Sequence, residues 1–408
     1  MKTEEYIKIK KIALLVSCAT VLQTLEYLIP QPIPGIKLGL ANIIVLVALV
    51  DLGFKISLEI SVLRTIISSF ILGTFFSPTF ILSFSSAIIS TLVMGLFYKL
   101  STLNSKIYLS LIGISLIGAI TSNLVQISLV YLLLIRHKGI FLLLPWLGIS
   151  AIITGWITGF LASRVCQKLE NSTNKITSID NNLQNTFCQN IYVQNLQLDN
   201  NNIGHYLNEN SLIHRASTYL KILIVFILTL IILLFNNFLV YTVILFLLFF
   251  IISLSKIPFL NLLSETKKIT PFILTSFIIP TIFNKTGEIY LKLGLFNITR
   301  DGFFLGGMFV FRFVLMTISA FLLIKTTSPN ELTNSLKKIL VPFRIIGLSG
   351  DRMAEIITLS WSSIPILMEN TRSFIKTQKF NSKFLKSFFP TLISLIVILY
   401  QQSDKEII

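Results

Sequence analysis

Residues 219 to 254 read YLKILIVFILTLIILLFNNFLVYTVILFLLFFIISL, two apolar runs separated by Asn236-Asn237. Each run approaches the ~20 residues that a helix needs to cross the hydrocarbon core of a bilayer. Since asparagine favours turns, the stretch predicts two antiparallel transmembrane helices. The fold of the chain is therefore expected to be set by a bilayer.

The composition of the whole chain agrees with a membrane protein. Of 408 residues, 53% are hydrophobic and 13% are charged, with a mean hydropathy of +0.80. Soluble proteins carry about 25% charged residues, so most cytosolic enzymes are excluded. The formal net charge of +16 would suggest nucleic acid in a soluble chain, but in a membrane protein it indicates cytoplasmic loops. We expect no nucleic-acid partner.

About eleven apolar runs can be counted along the chain, and strand-like alternation is not apparent. We predict an all-α polytopic membrane protein with two bundles, an N-terminal block (residues 1–165) and a C-terminal block (residues 218–408). The runs are 11–29, 38–53, 56–74, 79–98, 107–135 and 141–165 in the N-terminal block, and 219–235, 238–254, 269–283, 302–324 and 387–400 in the C-terminal block.

Two segments interrupt this pattern. Residues 166–217 are rich in Asn, Gln, Ser and Thr and predict a polar linker between two domains. Residues 325–386 are amphipathic with a surplus of positive charge, which predicts cytoplasmic helices. The lysines before residue 12 favour a cytoplasmic N-terminus, although Lys37 and residues 136–138 then fall outside.

The residues that enzymatic chemistry would need are missing from the sequence. It has no GxxxxGK[ST] phosphate loop, no paired aspartates to hold magnesium, and three histidines that all fall near loops or span ends. The three cysteines have no metal-binding spacing. We predict no catalytic residues, no metal site and no cofactor.

Charged residues inside the spans are candidates for substrate binding, because a charge in hydrocarbon costs ~3 kcal/mol and needs a compensating use. Glu26 lies near the outer end of the first span and Arg64 in the middle of the third. Either they bind a substrate or they pair with each other between helices. Arg312, in the C-terminal block, is a third case.

Further polar residues add to the candidate site. Lys37 and Asn42 flank the start of the second span, after a proline-rich loop that we expect over the bundle. Asn123 and Gln126 are three residues apart and share one face of the fifth span, where they could bind a ligand or join two helices. Lys37 and Arg64 favour an anionic ligand.

Residues 34–42, PGIKLGLAN, resemble the PGxKLGLAN signature of the Gx transporter family, also described as heptaprenyl diphosphate synthase component I. Leu63-Arg64 and residues 118–126, GAITSNLVQ, add to the resemblance, except that the family usually has histidine where this chain has Ser122. The resemblance covers about residues 11–165. It implies a bundle like the substrate-capturing S components of energy-coupling factor (ECF) transporters.

The C-terminal block resembles the transmembrane T component of the same transporters, of the CbiQ type. The resemblance covers about residues 213–400 and rests on His214-Arg215, Arg312, residues 294–302 (GLFNITRDG) and residues 327–332 (TSPNEL). It implies that amphipathic helices, at about 328–380, dock on two ATPase subunits. The family's Ala-Arg-Gly motif is replaced after Gln378 by Lys379-Phe380-Asn381-Ser382. The candidate coupling residues are Glu331, Leu332, Arg344, Arg372, Gln378 and Lys379.

Together these features predict a multi-pass protein of the inner cell membrane that fuses substrate capture with transmembrane coupling. It would import a small molecule, and ATPases supplied in trans would hydrolyse ATP. Two alternatives remain open: an uncoupled carrier whose T-like part has become a scaffold, and a non-catalytic membrane component of a prenyl diphosphate synthase.

Overall fold

The computed structural model describes a set of ranges separated by gaps. They are residues 2–28, 39–103, 109–135, 138–173, 211–255, 257, 270–284, 286–293, 296–340, 350–377, 393, 394 and 397. Lys37, Arg344, Gln378 and Lys379, four of the predicted site residues, lie outside the described residues.

The described residues of the N-terminal block contain six α-helices that follow the six predicted runs. The fifth helix continues as a π-helix over Val130–Ile135, and a 3₁₀ turn over Lys138–Leu143 precedes the sixth. The last helix extends to Thr173, past the end of its apolar run at residue 165. The helices are α1 (Lys2–Leu28), α2 (Leu40–Asp51), α3 (Phe54–Ile71), α4 (Pro78–Leu103), α5 (Leu111–Leu129) and α6 (Leu144–Thr173).

The described C-terminal region is also mainly helical. A short helix precedes the predicted hairpin, two further apolar helices follow it, and two amphipathic helices come last. The elements are α7 (Leu212–Arg215), α8 (Thr218–Leu234), α9 (Phe238–Ser255), α10 (Thr270–Phe283), β1 (Ile289–Leu293), β2 (Phe296–Thr299), α11 (Arg300–Lys325), α12 (Pro329–Leu340) and α13 (Gly350–Thr377).

Strands β1 and β2 form an antiparallel hairpin that the apolar pattern does not predict. The hairpin is held at its base, where the Arg300 amide donates to the Glu288 carbonyl at 2.9 Å. Thr299 then caps α11 by accepting from the Gly302 amide at 3.2 Å. The all-α class is confirmed, with this hairpin as a small addition.

Five described helical segments are long and apolar enough to cross a bilayer. They are Pro78–Leu103, Leu111–Leu134, Lys138–Glu170, Phe238–Ser255 and Arg300–Lys325. Shorter apolar helices lie at Leu40–Asp51, Thr218–Leu234 and Ile273–Phe283. The chain is therefore a multi-pass membrane protein, while the total of about eleven spans stays a prediction.

Helix α6 packs on α5, and α5 packs on α4; α1 contacts α2, α3 and α13; α10 packs along α11. Gly306 permits the last of these contacts, because a Cβ there would lie 2.6 Å from the Thr281 Oγ1 atom. One apolar cluster joins α1–α3 to α12 and α13, and a second joins α5 to α8, α9 and α11. Both clusters thus contain residues of both blocks.

Candidate functional site

A cavity of about 160 Å³ lies among the helices of the N-terminal block. Its lining includes five of the six predicted substrate-binding residues: Glu26, Asn42, Arg64, Asn123 and Gln126. The sixth, Lys37, lies outside the described residues. Hydroxyl side chains make up much of the remaining lining: Tyr27, Thr65, Ser68, Ser69, Thr74, Thr79, Ser83, Ser86, Ser90, Ser115, Ser122, Thr154 and Thr158.

Arg64 on α3 is 5% exposed and organises one end of the cavity. Its Nη1 atom donates to Gln23 Oε1 at 3.0 Å, and its Nη2 atom donates to Asn42 Oδ1 at 2.6 Å. The Nε atom has no hydrogen-bond acceptor among the described residues. The guanidinium therefore joins α1, α2 and α3, and its Nε–H group can still donate a hydrogen bond.

Glu26 lies at the same end of the cavity and interacts electrostatically with Arg64. Its Oε1 atom accepts from the Gly39 amide at 2.7 Å, at the N-terminus of α2. Gly39 has a φ of +75°, which a residue with a side chain rarely adopts, and a Cβ there would lie 3.3 Å from Thr158. The glycine of the PGIKLGLAN motif thus lets α2 begin beside the cavity.

Asn123 and Gln126 lie on the opposite wall and also join helices. The Asn123 Nδ2 atom donates to the Leu147 carbonyl at 2.8 Å, which links α5 to α6. The Gln126 Nε2 atom donates to Ser86 Oγ on α4 at 3.2 Å. These residues therefore connect helices, while their role in binding a ligand stays a prediction.

One polar contact between the blocks joins α1 to α13, and another joins α11 to the π-helix. Ser360 on α13 donates to the Ala13 carbonyl at 3.0 Å, and Ser17 donates to the Ser360 carbonyl at 3.2 Å. All three residues are at most 1% exposed. The two serines are the donors, and Ala13 contributes its backbone carbonyl. Ala13 and Ser17, two small residues four apart on α1, thus form the face that contacts α13.

Arg312 on α11 forms the second contact and is 1% exposed. It donates to Tyr241 Oη at 3.0 and 3.2 Å and to Asn236 Oδ1. It also donates to the carbonyls of Leu133 and Leu134, the latter at 3.0 Å, at the end of the π-helix. A cation suits these carbonyls because a helix C-terminus carries partial negative charge.

The predicted coupling residues differ in burial and in the helix on which they lie. Leu332 is 1% exposed and belongs to the apolar core. Glu331 is exposed, and its Oε2 atom accepts from Thr218 Oγ1 at 3.0 Å. Arg372 lies on α13. The exposed face of α12 consists of Glu331, Asn334, Lys337 and Lys338, at the spacing of one helix face.

Sequence reasoning missed three polar side chains that hold these elements together. Gln23 lies three residues before Glu26 and so shares its helix face. Lys221 donates to the Thr326 carbonyl at 2.7 Å and to the His214 carbonyl at 3.1 Å. Glu59 pairs with Arg352 at 3.1 Å. Lys221 and Glu59 are charges inside predicted spans, the same signal that identified Arg64.

Comparison with known proteins identifies two families, each matching a different part of the chain. A family described as heptaprenyl diphosphate synthase component I matches residues 15–165. A family described as cobalt transport protein, CbiQ, matches residues 209–402. The two matches follow one another along the chain, as the two resemblances in the sequence do.

Named relatives match about half of the chain. The energy-coupling factor transporter transmembrane protein EcfT of Listeria innocua is 33% identical over 211 residues, which are 50% of this chain and 80% of that protein. The chain belongs to this family of ECF transporter transmembrane proteins. The EcfT of Bacillus subtilis is 28% identical over 217 residues, 51% of this chain and 82% of that protein. That of Macrococcus caseolyticus is 27% identical over 216 residues, with the same coverage.

Membership of the ECF family assigns a role to the C-terminal region. That region is the T component of an ECF transporter, and the chain is a transporter component. The predicted resemblance of the N-terminal and C-terminal parts to these two families is confirmed.

Proposed function

We propose that this chain fuses substrate capture and transmembrane coupling in one subunit of an ECF-type importer. The N-terminal block (1–165) would capture a small molecule, residues 166–217 would be the linker, and residues 218–408 would couple to ATPase subunits bound in trans. The proposed location is the cell membrane, with the N-terminus in the cytoplasm.

The observation that carries the proposal is the direct packing of α13 on α1. Helix α1 supplies Gln23, Glu26 and Tyr27 to the cavity, and its Ala13 and Ser17 contact Ser360. A movement of α13 would therefore act on a helix that lines the cavity, without an intervening subunit. This is the arrangement that ATP-driven release of a captured molecule needs.

The coupling surface is proposed on the exposed faces of α12 and α13. On α12 it comprises Glu331, Asn334, Lys337 and Lys338, while Leu332 supports it from the core. On α13 the exposed residues include Asp351, Glu355, Thr358 and Ser362, again at helical spacing. Arg344, Arg372, Gln378 and Lys379 would extend this surface.

The test is purification of the full chain together with a pair of ABC ATPase subunits, followed by uptake in sealed vesicles. We expect the ATPases to copurify and uptake to require ATP. Lys337→Glu combined with Lys338→Glu should weaken copurification, while Lys292→Glu in the β-hairpin, also exposed, serves as the matched control. Uptake that ignores ATP, with no ATPase bound, would instead establish the uncoupled carrier.

A further inference from the structure

The cavity combines two walls of opposite hydrogen-bonding character, and this bears on the ligand class. The orientation of several side-chain amides follows from their partners, because some partners have only one possible role. A guanidinium can only donate, and a backbone carbonyl can only accept. Residues that contact such groups must therefore present a known atom to them.

The end of the cavity around Arg64 presents donors. Gln23 and Asn42 each use an amide oxygen to accept from Arg64, so their NH₂ groups remain as donors. The Arg64 Nε atom, buried and without an acceptor among the described residues, is a third donor. These three residues suit a ligand group that accepts several hydrogen bonds, such as a carboxylate.

The wall formed by α4, α5 and α6 presents acceptors. Asn123 uses its NH₂ group on the Leu147 carbonyl, which leaves the amide oxygen as an acceptor. Thr154 and Ser90 donate their hydroxyl protons to the carbonyls of Ser150 and Ala87, at 2.8 and 3.2 Å. Their oxygens can then only accept, which suits an amine or a hydroxyl on the ligand.

The charges of the described lining balance. Glu26 and Arg64 are the charged residues of that lining, and they interact with each other. A ligand with a net negative charge would add an uncompensated charge to a buried site, which is unfavourable. Its size is limited too, because a cavity of about 150 Å³ holds benzene, so this one suits on the order of ten non-hydrogen atoms.

We propose that the cavity binds a small dipolar molecule without net charge, with a carboxylate-like end at Gln23, Asn42 and Arg64 and an amine or hydroxyl end at Asn123 and Thr154. The proposal rests on the proposed capture function of the N-terminal block and names its ligand class. It sharpens the expectation of an anionic ligand: the anionic group is retained at Arg64, but a balancing donor group is required at the opposite wall.

The experiment uses the full chain in nanodiscs, equilibrated with the total small-molecule extract of cells that express it. After washing, the protein is denatured and the retained compounds are identified by mass spectrometry. Three variants are compared with the unchanged chain. Gln23→Glu keeps an oxygen for Arg64 but replaces the NH₂ donor with a negative charge; Thr154→Val removes one acceptor at constant shape; Ile152→Ala, 56% exposed on the same helix, is the control.

We expect the chain and Ile152→Ala to retain the same compound, with an acidic and an amine or hydroxyl group and no net charge. Retention should fall about 3- to 10-fold in Thr154→Val, the effect of one hydrogen bond, and about 10-fold or more in Gln23→Glu. Retention of a phosphate ester or another net anion, or full retention by Thr154→Val, overturns the ligand class but leaves capture intact. If nothing is retained, the capture function itself fails.

Discussion

Two of the polar contacts between the N-terminal block and the C-terminal block, at Arg312 and between α1 and α13, differ in how their interactions are distributed. At Arg312 a single buried cation donates to carbonyls of the π-helix, to Asn236 and to Tyr241. Between α1 and α13 two serines exchange uncharged hydrogen bonds with backbone carbonyls. The first contact depends on one side chain. In the second, the hydrogen bonds are shared between two serine hydroxyls and two backbone carbonyls of α1 and α13.

This difference has a consequence for movement between the blocks. Separating Arg312 from its partners would leave a charge and several acceptors without partners in an apolar environment, which is expensive. Separating the serines would leave only uncharged groups, and the Ser17 hydroxyl already has a partner in its own helix, the Ala13 carbonyl at 2.8 Å. We therefore expect the Arg312 contact to persist and the α1–α13 contact to change during a transport cycle.

The largest effect is expected for Arg312→Leu. It removes the donor group that Tyr241, Asn236 and the π-helix carbonyls share, and a broken buried network costs about 3–5 kcal/mol. Thermal unfolding in detergent should show a large loss of stability, with Arg312→Lys intermediate. Arg300→Gln, an exposed arginine on the same helix, should change little; equal effects at both positions would contradict the comparison.

The ion pair between α3 and α13 should respond asymmetrically. The Glu59 side chain is 5% exposed and that of Arg352 is 31% exposed. Arg352→Gln leaves a buried carboxylate and should destabilise by about 2–3 kcal/mol, while Glu59→Gln leaves a cation that water can reach and should cost about 1 kcal/mol. The same unfolding measurement checks the order of the two variants, and a reversed order would show that burial does not control this contact.

Ser360→Leu should separate function from stability at the α1–α13 contact. Ser360 is fully buried against α1, so a larger side chain would force the helices apart at a cost of about 1–3 kcal/mol. We expect ATP-dependent uptake to fall several-fold while the cavity still retains its compound. Ser362→Leu, exposed on the same helix, provides the control, and loss of retention in Ser360→Leu would argue against a separate coupling role.

The smallest effect is expected for Asp351→Asn. Asp351 and Lys337 pair at 2.6 Å, but their side chains are 82% and 51% exposed. Exposed ion pairs contribute about 0–1 kcal/mol. Stability should stay within about 0.5 kcal/mol of the unchanged protein, and the small effect should vanish in high salt. A larger loss would mean that α12 and α13 depend on each other more than their apolar contacts indicate.

The helices and most of the cavity lining could be predicted because a bilayer imposes strong rules. Apolar runs must be helical there, and Glu26 and Arg64 are conspicuous as charges within such runs. Ser328-Pro329-Asn330-Glu331 is a pattern typical of a helix start, and the Glu331 amide does donate to Ser328 Oγ at 3.4 Å. These features depend on residues that are close in sequence.

Other features depend on residues far apart in sequence. The pairing of Arg312 with the π-helix joins positions 178 and 179 residues apart, and no local pattern indicates the partner. Leu332 was expected at a docking surface, but its apolar side chain is buried, as helical periodicity favours. The β-hairpin was missed because its strands, of five and four residues, are too short for their alternation to stand out among the long apolar runs.

The apolar core shared by α1 and α13 means that α1 completes its packing only after α13 has been synthesised. Ser17 and its partner Ser360 are separated by 343 residues. At roughly 5–20 residues per second, ribosomes need about 20–70 s to make that stretch. During this interval the Ser17 side of α1 lacks the partner helix that covers it in the folded protein.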